Sequence, residues 1–216
     1  MVRVRPMMPA AGPLPTGPEW TYEVDWAGVR LLADVDEGVL TLRTADGRDV
    51  TARFPEFAAW EKVAADGLFD GEAVMLDAGT PSVLALGHRL RVTDQRRART
   101  LARSRPAVFM VHDVLRLYGV PLEERSWAQR RAVLGRLALP ASGRVQISPS
   151  YDDGAALLAG VSAQGLSGVV AKRRDQPYDP ESPTPWVRTP PTAVTLLEIP
   201  TSGARAASHA GVRTRE

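Results

Sequence analysis

Charged side chains lie within several apolar segments of this sequence. These side chains are the candidates for a chemical function. The first such segment holds Glu23, Asp25 and Arg30. Amine nucleophiles are scarce, because the only lysines are Lys62 and Lys172. An amine becomes a neutral nucleophile when neighbouring cations depress its pKa. Any amine-based mechanism is therefore limited to these two lysines, while Asp25 and Arg30 form either part of a site or an ordinary solvated pair.

This first charged segment is predicted to be a half-buried strand. Tyr22, Val24 and Trp26 alternate with polar neighbours, which is the period of a strand with one apolar face. Gly28 ends the strand, and an apolar run over residues 29–35 follows. The charged side chains are thus expected on the polar face and at the end of one strand.

The composition indicates one folded domain and excludes several classes of protein. The chain has 216 residues, enough for one sizeable domain with a buried core. It contains no cysteine, which excludes a disulfide scaffold and a thiolate metal site. No apolar run approaches the roughly 20 residues of a membrane helix, and residues 1–18 lack the apolar core of a signal peptide. We expect a cytoplasmic, nucleoid-associated protein without a membrane partner.

The net charge of +2 is small, but positive charge is concentrated in one stretch. Between His88 and Pro106 the sequence holds seven arginines and one acid, Asp94. Such a run is either a solvated face or a surface for DNA phosphates, whose contacts would be independent of sequence and sensitive to salt. The residues predicted to bind DNA are Arg89, Arg91, Arg96, Arg97 and Arg99.

Short alternating or apolar segments predict strands along most of the chain. Turn residues at 36–38 and 45–47 are suited to hairpins. The later predicted strands comprise residues 39–43, 48–53, 71–76, 82–86, 108–115, 144–148, 168–173 and 193–199.

Residues that begin or end helices lie between these predicted strands. Proline is tolerated at a first helical position and glycine ends helices, while serine and aspartate cap N-termini. The predicted helices are one from Pro55 ended by Gly67, one over residues 93–102, one capped by Ser126 with Gln129 and running to Leu137, and one capped by Asp152 or Asp153 and ending at Gly165.

Strands joined by tight hairpins and interspersed with helices predict an α+β fold with antiparallel sheets and flanking helices. Residues 1–18, which are rich in proline, predict an extended N-terminal arm, and residues 19–199 predict the folded domain. Residues 200–216 have no hydrophobic periodicity and predict a disordered tail.

The residues around Glu23 resemble the first motif of the ATP-dependent DNA ligase family. That motif is glutamate, an apolar residue, lysine, an apolar residue, aspartate, glycine, an apolar residue and arginine, and its lysine carries AMP as a phosphoramidate. Glu23, Gly28 and Arg30 match the motif, while Asp25 takes the place of the lysine and Ala27 that of the aspartate. The resemblance implies a site without an intact catalytic nucleophile.

Four further stretches resemble later motifs of the family, in the same order and at similar spacing. They are residues 70–74, 111–115, 168–172 and 186–190. By resemblance, Glu72 would bind ribose and help to hold metal, His112 would replace the aromatic residue that stacks on adenine, and Lys172 would contact phosphate. The nucleotide-binding residues implied are Glu23, Arg30, Glu72, His112, Lys172 and Arg188, with Glu72 as the metal ligand.

Several of these residues also have an ordinary structural interpretation. Glu72 is otherwise a surface carboxylate, His112 a packed core histidine and Lys172 a strand residue outside any cleft. Lys62 is expected to be a solvated charge on the outer face of the helix from Pro55.

The resemblance covers roughly residues 19–199 and looks closest to bacterial end-joining ligases. It implies the ATP-grasp-like nucleotidyltransferase fold of a DNA ligase adenylation domain, with ATP and magnesium as cofactors. DNA ends or nicks and end-joining repair proteins are the partners it implies. The OB-fold domain that follows the fifth motif in the family is not expected, since only 17 residues follow Ile199.

Further departures from the family indicate that catalysis is lost. Ser167 stands where the family has a metal-binding glutamate, Pro190 where it has a lysine, and Ala45 where it has an arginine. Phosphoryl transfer depends on metal and cationic stabilisation, and a carboxylate at Asp25 would repel a triphosphate. The leading hypothesis is a non-catalytic module that binds nucleotide or DNA. The alternatives are an active ligase or adenylyltransferase that uses Lys172 or a partner's residue, and a vestigial or structural interaction protein.

Overall fold

Two β-sheets face each other and are flanked by helices. The structure is a computed structural model that describes residues 4–62, 65–139, 143–182 and 186–191. The predicted strand at residues 193–199 and the predicted tail at 200–216 lie outside these residues.

The strands of the described residues are short at the edges and long at the centre of each sheet. In chain order they are β1 (Ala10–Ala11), β2 (Trp20–Val24), β3 (Val29–Asp36), β4 (Val39–Thr44), β5 (Gly67–Val74), β6 (Leu76–Asp77), β7 (Thr80–Pro81), β8 (Val108–Leu117), β9 (Val120–Pro121), β10 (Val145–Ile147), β11 (Ser150–Tyr151), β12 (Val169–Arg173) and β13 (Val187–Thr189). The α-helices are α1 (Val83–Leu90), α2 (Gln95–Ser104), α3 (Trp127–Leu134) and α4 (Gly154–Ala163), and 3-10 segments occupy Thr51–Arg53 and Pro55–Lys62.

The first sheet has the order β1-β13-β12-β2-β11, and the second has the order β10-β8-β5-β3-β4 with β9 beside β8. Pairing within both sheets is antiparallel except for β1 with β13 and β10 with β8. Together with the flanking helices, this topology confirms the predicted α+β fold with antiparallel sheets.

The alternation of side chains along each strand decides which residues enter the space between the sheets. On β5, Phe69 and Ala73 pack into the main core, so Glu72 points to the opposite face. On β12, Val169 and Ala171 pack in the cluster that includes α4, so Lys172 points toward the second sheet. Each sheet therefore presents polar residues to the other at one end of the interface.

Two apolar clusters hold this arrangement on either side of the second sheet. The larger one contains several aromatic side chains in contact, among them Trp60 and Phe69, whose rings are tilted by 30° with centroids 4.3 Å apart. The smaller one lies between the sheets and includes Leu32, Leu115 and Trp186. Burial of apolar surface on both faces explains why most side chains of β5 and β8 are apolar.

Several local predictions are confirmed by side-chain capping and turn geometry. The side chain of Ser126 accepts from the backbone N–H of Gln129, and the Gln129 side chain accepts from the N–H of Ser126, which completes the capping box of α3. Asp153 caps α4. Glu37 and Gly38, with φ of 49° and 80°, form the turn between β3 and β4.

Two predicted strands are wrong because local hydrogen bonds select another conformation. In residues 48–53, the Asp49 carboxylate accepts from the backbone N–H and the hydroxyl of Thr51, which starts a 3-10 turn. In residues 82–86, the hydroxyl of Ser82 accepts from the N–H of Ala85 and caps α1.

The helix predicted from Pro55 is of the 3-10 type and ends at Lys62, and Gly67 begins β5 instead of ending that helix. The side chain of Lys62 lies outside the described part of the chain. The arginine-rich helix begins at Gln95 instead of Thr93, because the Asp94 carboxylate accepts from the N–H of Arg97 and caps it.

The N-terminal arm is extended from residue 4 onward and is packed on the domain. Ala10 and Ala11 pair with β13, and Met7 is buried. The backbone N–H of Met7 donates to the hydroxyl of Tyr178 at 2.8 Å. The arm therefore contributes to the edge of the first sheet.

A buried ion pair that joins α3 to β8 is expected to be essential for stability. Arg130 donates twice to Asp113, with both distances 2.8 Å, and both side chains are buried. Arg130→Met would leave a buried carboxylate unpaired, and we expect a loss of about 3–5 kcal/mol in the free energy of unfolding, measured by urea denaturation. The control is Arg173→Met, which breaks the exposed pair with Asp175 and should cost no more than about 1 kcal/mol. Equal losses in the two variants would contradict the role assigned to Arg130.

Candidate functional site

A cleft of about 300 Å³ lies between the two sheets, at their polar end. The first sheet and the arm supply one wall, and β3, β5 and β8 supply the other. The charged or titratable residues that line it are Glu23, Asp25, Arg30, Glu72, His112, Lys172 and Arg188. The structure thus brings together every residue that the sequence predicted for nucleotide binding, together with Asp25.

Glu23 lies at the back of the cleft and is completely buried. Its carboxylate accepts from Lys172 Nζ at 2.7 Å and from His112 Nδ1 at 2.8 Å. Burial alone would raise the pKa of Glu23, but Lys172 and His112 outweigh it and hold this pKa at about 2. Glu23 is therefore ionised, and it is bound by one basic side chain from each sheet, Lys172 from the first and His112 from the second.

Lys172 is as deeply buried as its partner. Burial lowers the pKa of its amine, and Glu23 opposes that effect. The amine also lies 4.2 Å from the centroid of the Trp186 ring, where an ammonium is attracted to the aromatic face. Lys172 does line the cleft, but its amine is held in an ion pair.

The ring of His112 lies between two carboxylates and is hydrogen-bonded to one of them, that of Glu23. Its Nε2 lies 3.6 Å from Glu72 Oε1, too long for a hydrogen bond, and Nε2 has no hydrogen-bond partner among the described residues. Burial and Lys172 lower the pKa of His112, while Glu23 and Glu72 raise it, and the net direction is upward. The ring therefore keeps one buried nitrogen available to a ligand.

Glu72 is held by the backbone of the first motif. The N–H of Gly28 donates to Glu72 Oε2 at 3.1 Å, and a Cβ at Gly28 would lie 2.7 Å from the carbonyl oxygen of Ala73. Only glycine allows this approach. Burial raises the pKa of Glu72, but His112, Arg30 and the Gly28 N–H outweigh it and hold the pKa at about 2, so Glu72 is not a surface carboxylate.

Arg30 pairs with Asp70 and not with Asp25. Its guanidinium donates twice to Asp70, with both distances 2.6 Å, and lies 3.7 Å from Glu72. Tyr178 also donates to Asp70 at 2.6 Å. Asp70 and Tyr178 were missed as site residues; Asp70 opens the matched stretch at residues 70–74, whereas no sequence signal points to Tyr178.

Asp25 follows β2 at the mouth of the cleft and is 8% exposed. One carboxylate oxygen accepts from the N–H of Ala27 at 3.1 Å, and the other accepts from Arg188 Nε. Ala27 has a φ of 49°, in the left-handed region that alanine disfavours and aspartate tolerates better. The lining of the cleft includes three carboxylates and three lysine or arginine side chains, and each of these basic side chains is paired.

The departures at Ser167 and Pro190 lie beside the cleft, outside its lining. Between them, Gly168 has a φ of 147°, and a Cβ there would lie 2.5 Å from the carbonyl oxygen of Thr189. This close approach joins the start of β12 to the end of β13. Ala45 is an exposed turn residue away from the cleft.

The predicted DNA-binding arginines do not form one surface. Arg89 is 1% exposed, pairs with Glu56 at 3.1 Å and donates to the carbonyl of Arg105, which contradicts its predicted contact with DNA. Those that remain exposed are Arg91, Arg96, Arg97 and Arg99, and none of them forms an ion pair within the described ranges.

Within the part of the chain that the structure describes, no cluster of three or more histidine or acidic side chains could hold a metal ion. No helix of that part has the length and apolar character to cross a membrane.

The family signature of the sequence agrees with this geometry. The family model for the ATP dependent DNA ligase domain matches residues 14–188, which includes every charged residue of the cleft. The chain belongs to the ATP-dependent DNA ligase family.

Similar proteins within the family include an end-joining protein and a probable DNA ligase. It is 37% identical over 166 residues to the multifunctional non-homologous end joining DNA repair protein LigD of Mycobacterium tuberculosis, covering 75% of this chain and 20% of LigD. It is 34% identical over 166 residues to a probable DNA ligase of Anaeromyxobacter dehalogenans, covering 74% of this chain and 31% of that protein. The chain thus spans between a fifth and a third of the length of these relatives.

A solved ligase structure shows the same fold. A mycobacterial DNA ligase D, complexed with ATP and MES, superposes with a TM-score of 0.68 and 30% identity, covering 86% of this chain and 60% of that one. This match confirms the fold predicted from the resemblance, that of a DNA ligase adenylation domain.

Glu23 is expected to make stability depend on pH in the acidic range. Because folding lowers its pKa from 4.5 to about 2, its stabilisation is present above about pH 4.5 and is lost as pH falls toward 2. Glu23→Gln should lower the free energy of unfolding at pH 7 by about 3 kcal/mol or more, since Lys172 loses its buried partner. Its loss of stability below pH 4.5 should also be smaller than that of the wild type.

Urea denaturation between pH 3 and 7 measures both effects. Glu19→Gln, which neutralises an exposed glutamate near the start of β2, is the matched control and should behave like the wild type. A Glu23→Gln variant with the stability and pH dependence of this control would contradict the ion-pair assignment.

Proposed function

We propose that this chain is a non-catalytic member of the ligase family that binds nucleotide and DNA ends and does not transfer AMP. The observation that carries the proposal is Asp25, which stands at the position of the family's nucleophilic lysine with its carboxylate bound by Arg188 and the Ala27 N–H. A carboxylate there cannot form the phosphoramidate, and it places negative charge where a triphosphate would approach.

The alternative is an active enzyme in which the amine of Lys172 is the nucleophile. The lowered pKa of Lys172 is the one property that favours it. A nucleophilic amine must be unprotonated and free to approach phosphorus. The amine of Lys172 is instead engaged by Glu23 at 2.7 Å and by the ring of Trp186. We infer that Lys172 is a structural and ligand-contacting cation in this chain.

The residues present do not fit a metal-bound triphosphate. Glu72, the implied metal ligand, already accepts from Gly28 and lies against Arg30 and His112. Serine occupies position 167, where the family has its other metal-binding carboxylate.

The cleft offers more to the nucleoside part of a nucleotide than to its phosphates. The buried Nε2 of His112 is available for a hydrogen bond, and the lining includes the apolar side chains of Met8, Pro9 and Val170. Sites for small ligands commonly combine apolar walls with a few fixed polar groups. Binding of adenosine through this cleft is part of the proposal.

The exposed arginines of α2 and the preceding turn are the proposed DNA-binding surface. Arg96, Arg97 and Arg99 lie on one helix whose own residues include no acid. Contacts from such a surface to DNA phosphates would be weak, independent of sequence and sensitive to salt. The relation to LigD makes DNA ends or nicks, within an end-joining repair assembly, the proposed setting.

No covalent AMP is expected on the wild-type protein after incubation with ATP and magnesium or manganese, as measured by intact-protein mass. Asp25→Lys alone should also stay unmodified, because residues that act as one unit are strongly non-additive. The fourfold variant Asp25→Lys, Ala27→Asp, Ser167→Glu and Pro190→Lys should form a slow AMP adduct.

The backbone is suited to this restoration, since the left-handed conformation at Ala27 is better tolerated by aspartate. An alkali-stable adduct on the wild type that maps to Lys172 would establish the active-enzyme alternative and refute the proposal. A folded fourfold variant that binds neither ATP nor adenosine would favour the vestigial alternative.

The arginine surface is expected to control the salt dependence of duplex binding. Replacing Arg96, Arg97 and Arg99 with alanine should make the slope of log affinity against log salt less steep by up to about 2.7, because each phosphate that is no longer neutralised reduces the slope by about 0.9. Fluorescence anisotropy with a labelled duplex at several salt concentrations measures this slope.

A matched control replaces Arg48, Arg125 and Arg136, three exposed arginines outside α2, and so removes the same net charge. Its slope should stay close to that of the wild type. Equal slopes for the two triple variants would show that α2 is an ordinary solvated face.

A further inference from the structure

The lysine and the two arginines that line the cleft differ in how firmly carboxylates hold them. Lys172 pairs with Glu23, which is also bound by His112, and Arg30 pairs twice with Asp70, which is also bound by Tyr178. Both pairs belong to buried networks with several members. Neither cation can be released without disrupting the interior of the domain.

Arg188 is different because its neutralisation depends on one side chain at the cleft mouth. Its only ion-pair partner in the described residues is Asp25. The side chain of Arg188 is 47% exposed, and that of Asp25 is 8% exposed. A change at one residue would therefore leave a guanidinium that lines the cleft without a partner.

The carboxylate of Asp25 is fixed in place by its own backbone. The Asp25 N–H donates to the carbonyl of Gly168 at 2.8 Å, which anchors the end of β2 to the start of β12. The N–H of Ala27 then holds one carboxylate oxygen, and the other oxygen faces Arg188. A carboxylate and a phosphate present similar oxygen acceptors to a guanidinium.

We propose that Asp25 is a built-in anion that occupies the phosphate-binding position of Arg188 and makes the cleft favour a nucleoside over a polyphosphate. A nucleoside enters a cleft whose charges are balanced, whereas a polyphosphate has to displace the Asp25 carboxylate and then remain beside it. The selectivity for a nucleoside rests on the proposed nucleotide-binding function. The competition between Asp25 and a polyphosphate for Arg188 is independent of that function.

Inorganic tripolyphosphate tests this competition without any contribution from a base or sugar. Isothermal titration should show little or no binding to the wild type. Asp25→Asn keeps an oxygen for the Ala27 N–H but loses the charge. This variant should bind tripolyphosphate at least about tenfold more tightly, as expected when Arg188 forms one charge-assisted hydrogen bond to the ligand. Adenosine affinity should change little, so the preference should move from adenosine toward ATP.

The tighter binding has to depend on Arg188. Arg188→Gln alone should leave tripolyphosphate binding as weak as in the wild type, and Asp25→Asn with Arg188→Gln should bind no better. Asp175→Asn is the control, because it removes the same charge from the exposed pair with Arg173. If Asp25→Asn does not fold, Asp25→Ser, whose hydroxyl can still accept from the Ala27 N–H, takes its place in the same cycle.

The proposal is overturned if the variant at Asp25 binds tripolyphosphate no better than Asp175→Asn, or if its tighter binding persists without Arg188. Wild-type protein that binds ATP tenfold more tightly than adenosine would also overturn it. Tighter binding that requires Arg188, in a protein whose wild type binds neither adenosine nor DNA, would refute the proposed function and leave the role of Asp25 standing. If the wild type binds adenosine and DNA but the Asp25 variant binds tripolyphosphate no better than the wild type, the role of Asp25 is refuted and the proposed function stands.

Discussion

The buried carboxylate of Glu23 is the group on which the candidate site depends. A charge removed from water is tolerated only when it is paired and hydrogen-bonded, and Glu23 satisfies this requirement with Lys172 from its own sheet and His112 from the facing sheet. The same contacts fix the spacing of the sheets at the cleft. They also engage the amine of Lys172, so the residue best suited by type to be a nucleophile has a structural partner.

The cleft combines a closely constrained backbone with charges that depart from the family motif. Gly28 still approaches β5 so closely that only glycine fits, and its N–H binds Glu72. Ala27 has a left-handed φ, which costs an alanine about 1 kcal/mol and is better tolerated by aspartate, the residue of the family motif at this position. At the nucleophile position, however, Asp25 neutralises Arg188. The carboxylate of Asp25 therefore takes a position where the family motif has a cation.

The arginine-rich segment shows how burial divides residues of one type. Arg89 lies on α1 with its guanidinium enclosed, and it bonds to Glu56 and to two backbone carbonyls. Arg96, Arg97 and Arg99, on α2, remain exposed. The arginines of this segment are thus divided between an interior ion pair and a surface, because α1 turns its single arginine into the domain.

The sequence by itself determined the local features whose signals lie within a few residues. The alternation at residues 22–26 produced β2, the Ser126–Gln129 capping box produced the start of α3, and the order of five motifs identified the family and the residues of the cleft. The competition between local side-chain hydrogen bonds and strand formation was harder to predict. The Ser82 cap and the Asp49 turn replaced two expected strands. Only the tertiary structure decided which charges meet. Asp25 and Arg188 are 163 residues apart, and Glu23 and Lys172 are 149 apart; their pairing follows from the register of β2, β12 and β13, which places distant residues side by side according to the packing of whole sheets.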